Sequence, residues 1–504
     1  MNGEEPGLTL VEGSSPSPSN AAQMEVTLSE LPERADGSAG RVMIETYGCQ
    51  MNEADTELMH GLLRRRGYTL TKEAEEADVI LLNTCAVRER AEERIFGRLG
   101  WLKSIKRERP DLVLGVTGCM AERMREEIVA RSPYVDLVVG PDAYRRLPDL
   151  VDERRQRGDA AIAPKKKRDP LIDVRLDKQE RYAQLEVDRV PGVSGWISIQ
   201  RGCDKFCSFC IVPFVRGRER SLAPDEVVAQ AREMAEEGFR ELTLLGQTVS
   251  SYYERGVDFA DLLKLVHEVE GIDRIRFTSP HPIDFSDRLL DTLATLPKVA
   301  QQLHLPVQSG STRILKDMRR GYSRERFLKL IDSVREKLPE HGISTDVIVG
   351  YPGETEADFE ETMSLIEQAQ FDSAFMFYYS ERKGTLAARR RPDDVPLEVK
   401  KARLQRLINR QEEISRSRAQ ECIGRRFEVL VVGPNRRDPD QLIGRSSCFR
   451  STIFNRHDIN GIALEPGDLV EVEVDRATSH TLFARPVSAL KRRSVSRREI
   501  GEAR

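Results

Sequence analysis

The residues best suited to chemistry are cysteines. Cys203, Cys207 and Cys210 stand in Arg201-Gly-Cys-Asp-Lys-Phe-Cys-Ser-Phe-Cys-Ile, a Cys-x3-Cys-x2-Cys run. Three thiolates on one tight loop can hold three irons of a four-iron cluster and leave the fourth iron without a protein ligand, an open position where a reacting molecule can bind. A structural zinc site is normally closed by a fourth protein ligand, and no Cys or His follows here at finger-like spacing. Phe206 and Phe209 lie where they would shield a cluster from water, which tunes its potential.

A second trio shows no metal motif in the linear sequence. Cys49, Cys85 and Cys119 end the stretches Glu45-Thr-Tyr-Gly-Cys, Leu81-Leu-Asn-Thr-Cys and Gly115-Val-Thr-Gly-Cys. Each follows a strand-like run and precedes a helical one, so all three fall at the same edge of one parallel sheet, where doubly wound folds bind ligands. Neighbouring strands are only ~4.8 Å apart, close enough for three thiols to share one cluster, and helix N-termini behind them would lower the thiol pKa. A lone cysteine is commonly a small buried hydrophobe, but packing alone would not favour the same junction three times. Cys422 and Cys448 have no partner pattern and no ligand role is expected of them.

The elements that must position these residues can be read from periodicity. The chain has 504 residues, which at roughly 150 residues per domain predicts about three. Hydrophobic residues make up 39% and charged residues 32%, and no apolar run approaches the ~18 residues of a membrane span, so a cytoplasmic protein without a membrane partner is expected. A net charge of -4 excludes a globally basic nucleic-acid binder while permitting local basic patches. Residues 1–39 lack the grammar of a secretory or transit segment and read as a disordered extension.

From 40 to 150 strands and helices alternate, predicting a doubly wound parallel sheet: strands at 42–47, 78–82, 112–117 and 135–139, helices at 52–66, 88–106 and 121–130. A charged stretch, 151–190, reads as a linker. Residues 191–420 hold six further strand candidates, at 196–200, 242–245, 275–278, 302–305, 344–349 and 374–379. Six β/α units are too few for a closed eight-stranded barrel and predict an open one with its ligands at the strand C-termini. Turns at those ends supply candidate cofactor contacts: Gly246 and Gln247 after the second strand, Gln308 and Ser309 after the fourth, and Gly350, Gly353 and Glu354 after the fifth. Ordinary β/α turns account for such glycines equally well. Beyond a long charged helix, 397–419, short runs at 427–432, 442–445, 469–474 and 482–484 predict a small β-barrel over 421–489, followed by a basic tail, 490–504.

The radical loop after the first strand of a six-unit β/α domain resembles the radical S-adenosylmethionine enzymes. The whole pattern resembles their methylthiotransferase family over about residues 41–487: Tyr47-Gly-Cys-Gln-Met-Asn, Asn83-Thr-Cys-Ala-Val-Arg-Glu-Arg-Ala-Glu-Glu-Arg, Gly118-Cys-Met-Ala-Glu-Arg, the radical loop, and a terminal module similar to the RNA-binding TRAM domain. The Cys49 and Cys85 segments look like the tRNA branch. The resemblance implies two 4Fe-4S clusters. Cys203, Cys207 and Cys210 would hold the one that binds and reductively cleaves S-adenosylmethionine; Cys49, Cys85 and Cys119 would hold the one that presents sulfur.

It implies sulfur insertion and S-methylation at carbon 2 of N6-dimethylallyladenosine, position 37 in the tRNA anticodon stem-loop, a ring carbon on which acid/base catalysis alone has little purchase. An electron donor such as a flavodoxin or ferredoxin, a sulfur carrier and a monomeric state are further expectations. Arg425, Arg426, Arg436, Arg437, Arg445 and Arg450 are candidates to contact phosphates or stack on bases, with solvated surface as the alternative.

The chain departs from the family's usual pattern at Thr248, Ser250, Lys383, Ser451 and Thr452. Two other targets stay open at this point, another tRNA adenosine or a ribosomal-protein aspartate. So does a non-catalytic iron–sulfur RNA sensor, which would leave the six-unit barrel without a purpose.

Overall fold

The computed structural model describes residues 37–86, 89–157, 170–185, 187–448, 450–457 and 461–491. The terminal extension before 37, the tail from 492 and the Lys165–Arg168 run lie outside them.

The N-terminal body is a six-stranded parallel sheet. Gly40–Tyr47 lies between Tyr68–Leu70 on one side and Val79–Thr84 on the other, followed by Val113–Gly118, Leu137–Val139 and Leu171–Asp173. Its two central strands, Val-Ile-Leu-Leu-Asn-Thr and Val-Leu-Gly-Val-Thr-Gly, are buried at every position, as expected of parallel strands covered on both faces. Alternate residues feed two cores. Val79, Leu81 and Val113 pack with Leu58, Leu62 and Leu63 of helix Gln50–Arg65 and with Leu147 and Val151 of helix Leu147–Gln156. Ile80, Leu82 and Leu114 pack on the other face with Ile95, Leu99 and Leu102 of helix Glu89–Glu108. Because the chain runs outward in opposite directions from Gly40–Tyr47 and Val79–Thr84, a crevice opens between their carboxyl ends.

The edge strand Tyr68–Leu70 was not foreseen, and two further features differ from the sequence reading. The stretch 151–190 is more than a linker: helix Leu147–Gln156 runs into it, and Leu171–Asp173 pairs in parallel with Leu137–Val139 as the edge of the sheet. Three residues are too short a run to show alternation. The helix expected at 121–130 is broken into Cys119–Met124 and Glu126–Arg131 by Arg125, whose φ is 49°.

The central body has the six expected strands. Ser194–Ser198, Glu241–Leu245 and Arg274–Phe277 form one parallel set, and Gln302–His304, Gly342–Val349 and Ser373–Tyr378 another. A parallel bridge between Ile275 and Val299 joins the sets in chain order. Among the described residues no ladder connects the first strand to the sixth, so the barrel is open. Helix Leu397–Gln420 crosses from it to a closed five-stranded barrel, which includes a strand not foreseen, Ser451–Asn455.

That small barrel docks where the central strands begin. Arg274 bonds Glu428 (2.8 Å) and the Arg445 carbonyl (2.6 Å), Arg276 donates to the Ser446 carbonyl (2.8 Å), and Gly342 sits so close to the Cys448 carbonyl that a Cβ would come within 2.3 Å. No helix among the described residues is long and apolar enough to cross a membrane.

Candidate functional site

Strand register brings the second trio together. Tyr47 pairs with Thr84, and Thr84 with Gly118, so the three strands end level. Cys85 and Cys119 come immediately after their strands, and Cys49 follows one residue later, after Gly48. A chain of hydrogen bonds ties the ends. Asn52 Nδ2 donates to Asn83 Oδ1 (3.0 Å) and to the Thr84 carbonyl (3.3 Å), Asn83 Nδ2 donates to the Asn52 carbonyl (2.7 Å), and Thr84 Oγ1 donates to the Thr117 carbonyl (2.6 Å). Asn52 also caps its own helix by accepting from the Cys49 amide (3.3 Å). Gly118 is obligatory here: its φ is 91°, and a Cβ would lie 2.4 Å from the Thr84 carbonyl oxygen.

Cys119 senses the other two thiols. Burial pushes Cys119 up to about 12, Cys85 and Cys49 add to the rise, and the Arg216 guanidinium opposes it. This reverses the expected acidification by helix N-termini: at Cys119, 6% exposed, the loss of water outweighs the helix dipole. Iron must therefore displace a proton to bind.

The radical loop is held by its flanks. Gly202, at φ 77°, would place a Cβ 2.0 Å from the Arg218 carbonyl, so the two legs of the loop cross backbone to backbone. The Gly202 amide donates to Gln247 Oε1 (2.5 Å), the Cys203 amide to the Gly217 carbonyl (3.1 Å), and the Cys210 amide to the Cys207 carbonyl (3.0 Å). Cys203 and Cys207 are buried and Cys210 half-buried. Burial raises Cys203, with Glu219 and Cys207 adding to the rise, and pushes Cys210 up to about 12, with Cys207 and Cys203 adding to it. Phe206 is half-buried under Arg218 and Phe209 packs against Met318, Tyr351 and Tyr379.

Several partners were invisible in the sequence pattern. Arg320, 5% exposed, donates from Nη1 to Cys207 Sγ (3.2 Å) and from Nε to Tyr322 Oη (2.9 Å). Thr248, one of the departures from the family pattern, places Oγ1 3.1 Å from Cys203 Sγ, while Ser250 bonds Asp284 (2.9 Å). On the other trio Arg216 Nε donates to Cys119 Sγ (3.1 Å), and Arg216 and Arg201 both bond Asp55, a fully buried carboxylate on the helix that begins after Cys49 (2.7 and 2.6 Å).

Each trio thus combines clustered thiols with a buried guanidinium, the charge balance an anionic iron–sulfur cluster needs. Among the described residues no three Cys, His, Asp or Glu side chains close on a single ion, whereas a four-iron cluster asks for thiols on separate irons. Both donor sets fit such a cluster.

The glycine-rich turns are less uniform. Gln247 serves the loop, and Gln308, at φ 76°, bridges to Val347. Ser309 is fully buried against Thr362, and Glu354 accepts from the Gly350 amide (2.7 Å) and from Arg403 (2.8 Å). The Gly353 amide is held by Asp394 (2.7 Å), while Gly246 packs so that a Cβ would meet Gln200. Of the barrel arginines, Arg450 turns inward to the half-buried Asp372 and to Cys422 Sγ (3.1 Å), a docking contact. Arg426 pairs with Glu473, whereas Arg436 and Arg437 stand exposed at a hairpin tip.

Inside the open barrel lies a cavity of about 510 Å³ that runs from Gln50, next to Cys49, past Trp196, His304 and Phe375 to Arg445 on the small barrel.

Residues 41–140 match the Uncharacterized protein family UPF0004, 197–366 the Radical SAM superfamily, and 420–487 the TRAM domain. The chain is 42% identical over 448 residues to the tRNA-2-methylthio-N(6)-dimethylallyladenosine synthase of Clostridium novyi (strain NT), covering 88% of this chain and 95% of that one. It is 43% identical over 489 residues to the protein of the same name from Bordetella bronchiseptica, covering 95% and 97%. Among solved structures, TsrM, a radical S-adenosylmethionine methyltransferase from Kitasatospora setae, aligns at TM-score 0.50 and 14% identity over 69% of this chain and 77% of its own, a likeness of fold.

Proposed function

The chain belongs to the tRNA-2-methylthio-N6-dimethylallyladenosine synthase family of radical S-adenosylmethionine enzymes, and from that premise we propose that its two cysteine trios divide one reaction between them. The activity is methylthiolation of tRNA at carbon 2 of N6-dimethylallyladenosine, a group transfer that uses S-adenosylmethionine and iron–sulfur clusters. In our reading Cys203, Cys207 and Cys210 hold the cluster that engages S-adenosylmethionine, and Cys49, Cys85 and Cys119 hold the one that presents sulfur. Bound there, these groups supply the one-electron chemistry that a hydrogen on an aromatic ring carbon demands.

The observation that carries the assignment is the level ending of three strands, which places three thiols on one sheet edge against the flank of the radical loop. The chain's own part is position and exclusion of water. Gln247 and Gly217 fix the loop, Arg320 sets a positive charge beside Cys207, and Thr248 places a hydroxyl on Cys203. The cavity offers Trp196, Phe375 and His304 as faces for a nucleobase drawn out of the anticodon loop at position 37. Exposed Arg436 and Arg437 suit the phosphates of the same stem-loop.

Residues 40–150 extended by the strand at 171–173, 191–420 and 421–489 then form the sulfur-presenting, radical and RNA-binding domains. The reading further entails a reductant such as a flavodoxin or ferredoxin, a sulfur carrier, and a monomer working in the cytoplasm. Replacing Cys203, Cys207 and Cys210 by Ala is expected to abolish anaerobic formation of 5′-deoxyadenosine. Replacing Cys49, Cys85 and Cys119 should leave some formation and no methylthiolated nucleoside by mass spectrometry of the tRNA. Cleavage that survives the first replacement overturns the assignment.

A further inference from the structure

Arg216 belongs to the central domain, six residues beyond Cys210, yet its side chain ends in the N-terminal one. It is 4% exposed. Nε points at Cys119 Sγ (3.1 Å) and Nη2 at Asp55 Oδ2 (2.7 Å), while Arg220 Nη2 grips its carbonyl from behind (2.8 Å). Asp55 also takes Arg201, two residues before Cys203, whose guanidinium lies 4.4 Å from the centre of the Tyr182 ring. One carboxylate therefore pins both flanks of the radical loop, and one of the two pinned arginines touches a ligand of the other trio.

We propose that Arg216 is a positioning residue that sets the potential of the cluster on Cys49, Cys85 and Cys119, so that the radical domain itself completes the sulfur-presenting site. The inference rests on the assignment of that trio as a cluster site. A donor that carries charge and bonds a ligating thiolate stabilises the more negative, reduced state of a cluster and raises its potential. Asp55 fixes the guanidinium in the plane that aims Nε at sulfur.

The test uses the full chain, reconstituted without oxygen, with each cluster followed by electron paramagnetic resonance during a redox titration. Wild type must first hold about eight irons; fewer overturns the underlying assignment and not this inference alone. In Arg216→Gln the cluster that disappears from the Cys49/Cys85/Cys119 variant should become at least about tenfold harder to reduce, a shift of about 59 mV to more negative potential, while the radical cluster keeps its own. An unmoved midpoint in the Gln variant, or a shift confined to the radical cluster, overturns the proposal. Should Arg216→Gln fail to hold the second cluster, Arg216→Lys decides. Lys keeps the charge, so full iron with an intermediate potential supports the proposal, and iron loss there too reduces Arg216 to a structural role.

Discussion

Replacing Gly118 by Ala isolates what the strand-end geometry contributes. Two penalties apply. The first is a positive φ of 91°, which costs an L-residue about 1–2 kcal/mol. The second is steric: the new Cβ would fall 2.4 Å from the Thr84 carbonyl oxygen and 2.9 Å from its amide nitrogen, both backbone atoms at the buried end of a neighbouring strand that cannot swing aside. Forcing the strands apart by more than half an ångström adds about 1–3 kcal/mol. Gly256 provides the control, since it has a φ of 81° and nothing within 4 Å of its Cβ position, so only the first penalty applies. Urea unfolding should therefore place Gly118→Ala about 1–3 kcal/mol below Gly256→Ala. Because Cys119 is the next residue, iron after anaerobic reconstitution should fall from about eight to about four per chain, with 5′-deoxyadenosine still formed. A Gly118→Ala protein with full iron, and stability equal to the Gly256 variant, refutes the claim that this close approach holds the trio in register.

Three other outcomes follow from the same geometry. Asp55→Ala leaves two buried guanidiniums without their carboxylate and should cost about 3–5 kcal/mol; Trp101 and Trp196, one in each domain, report the loss by fluorescence, and a cost under 1 kcal/mol contradicts the clamp. Burial holds the Glu57 carboxyl neutral up to about 7, against 4.5 when exposed. Its contribution to stability is complete below about pH 4.5 and is lost as pH rises through about 7, so Glu57→Gln should narrow the fall in melting temperature between pH 5 and pH 8; an identical fall in both proteins contradicts it. Arg436→Ala with Arg437→Ala should weaken tRNA binding and reduce the slope of log affinity against log salt by about 1.4; an unchanged slope removes the hairpin tip from the interface.

Much of this architecture was legible because burial leaves a period in the sequence. Strands such as Val79–Thr84 open on an apolar run, Val79 to Leu82, and alternate with amphipathic helices, so the three bodies and the shared edge of Cys49, Cys85 and Cys119 could be read from topology alone. Edge strands escaped. Tyr68–Leu70 and Leu171–Asp173 are three residues long and carry no pattern. The residues that complete the site were also hidden, since nothing local separates a buried arginine from a solvated one. Asp55 meets Arg216 across 161 positions, and Arg450, a candidate RNA contact by its place in the terminal barrel, pairs instead with Asp372. Acid thiols were expected from helix dipoles, and burial reversed the sign at Cys119.

The level strand ends act as a ruler that ignores how much chain lies between its marks. Cys49 and Cys85 are thirty-six positions apart and Cys85 and Cys119 thirty-four, yet only the pairing of Tyr47 with Thr84 and of Thr84 with Gly118 decides where the sulfurs stand. Residues inserted in the connection after Arg65 lengthen a path and leave the ruler untouched, whereas a single residue inserted within Val79–Thr84 turns every later side chain of that strand to the opposite face and carries Cys85 away from its companions.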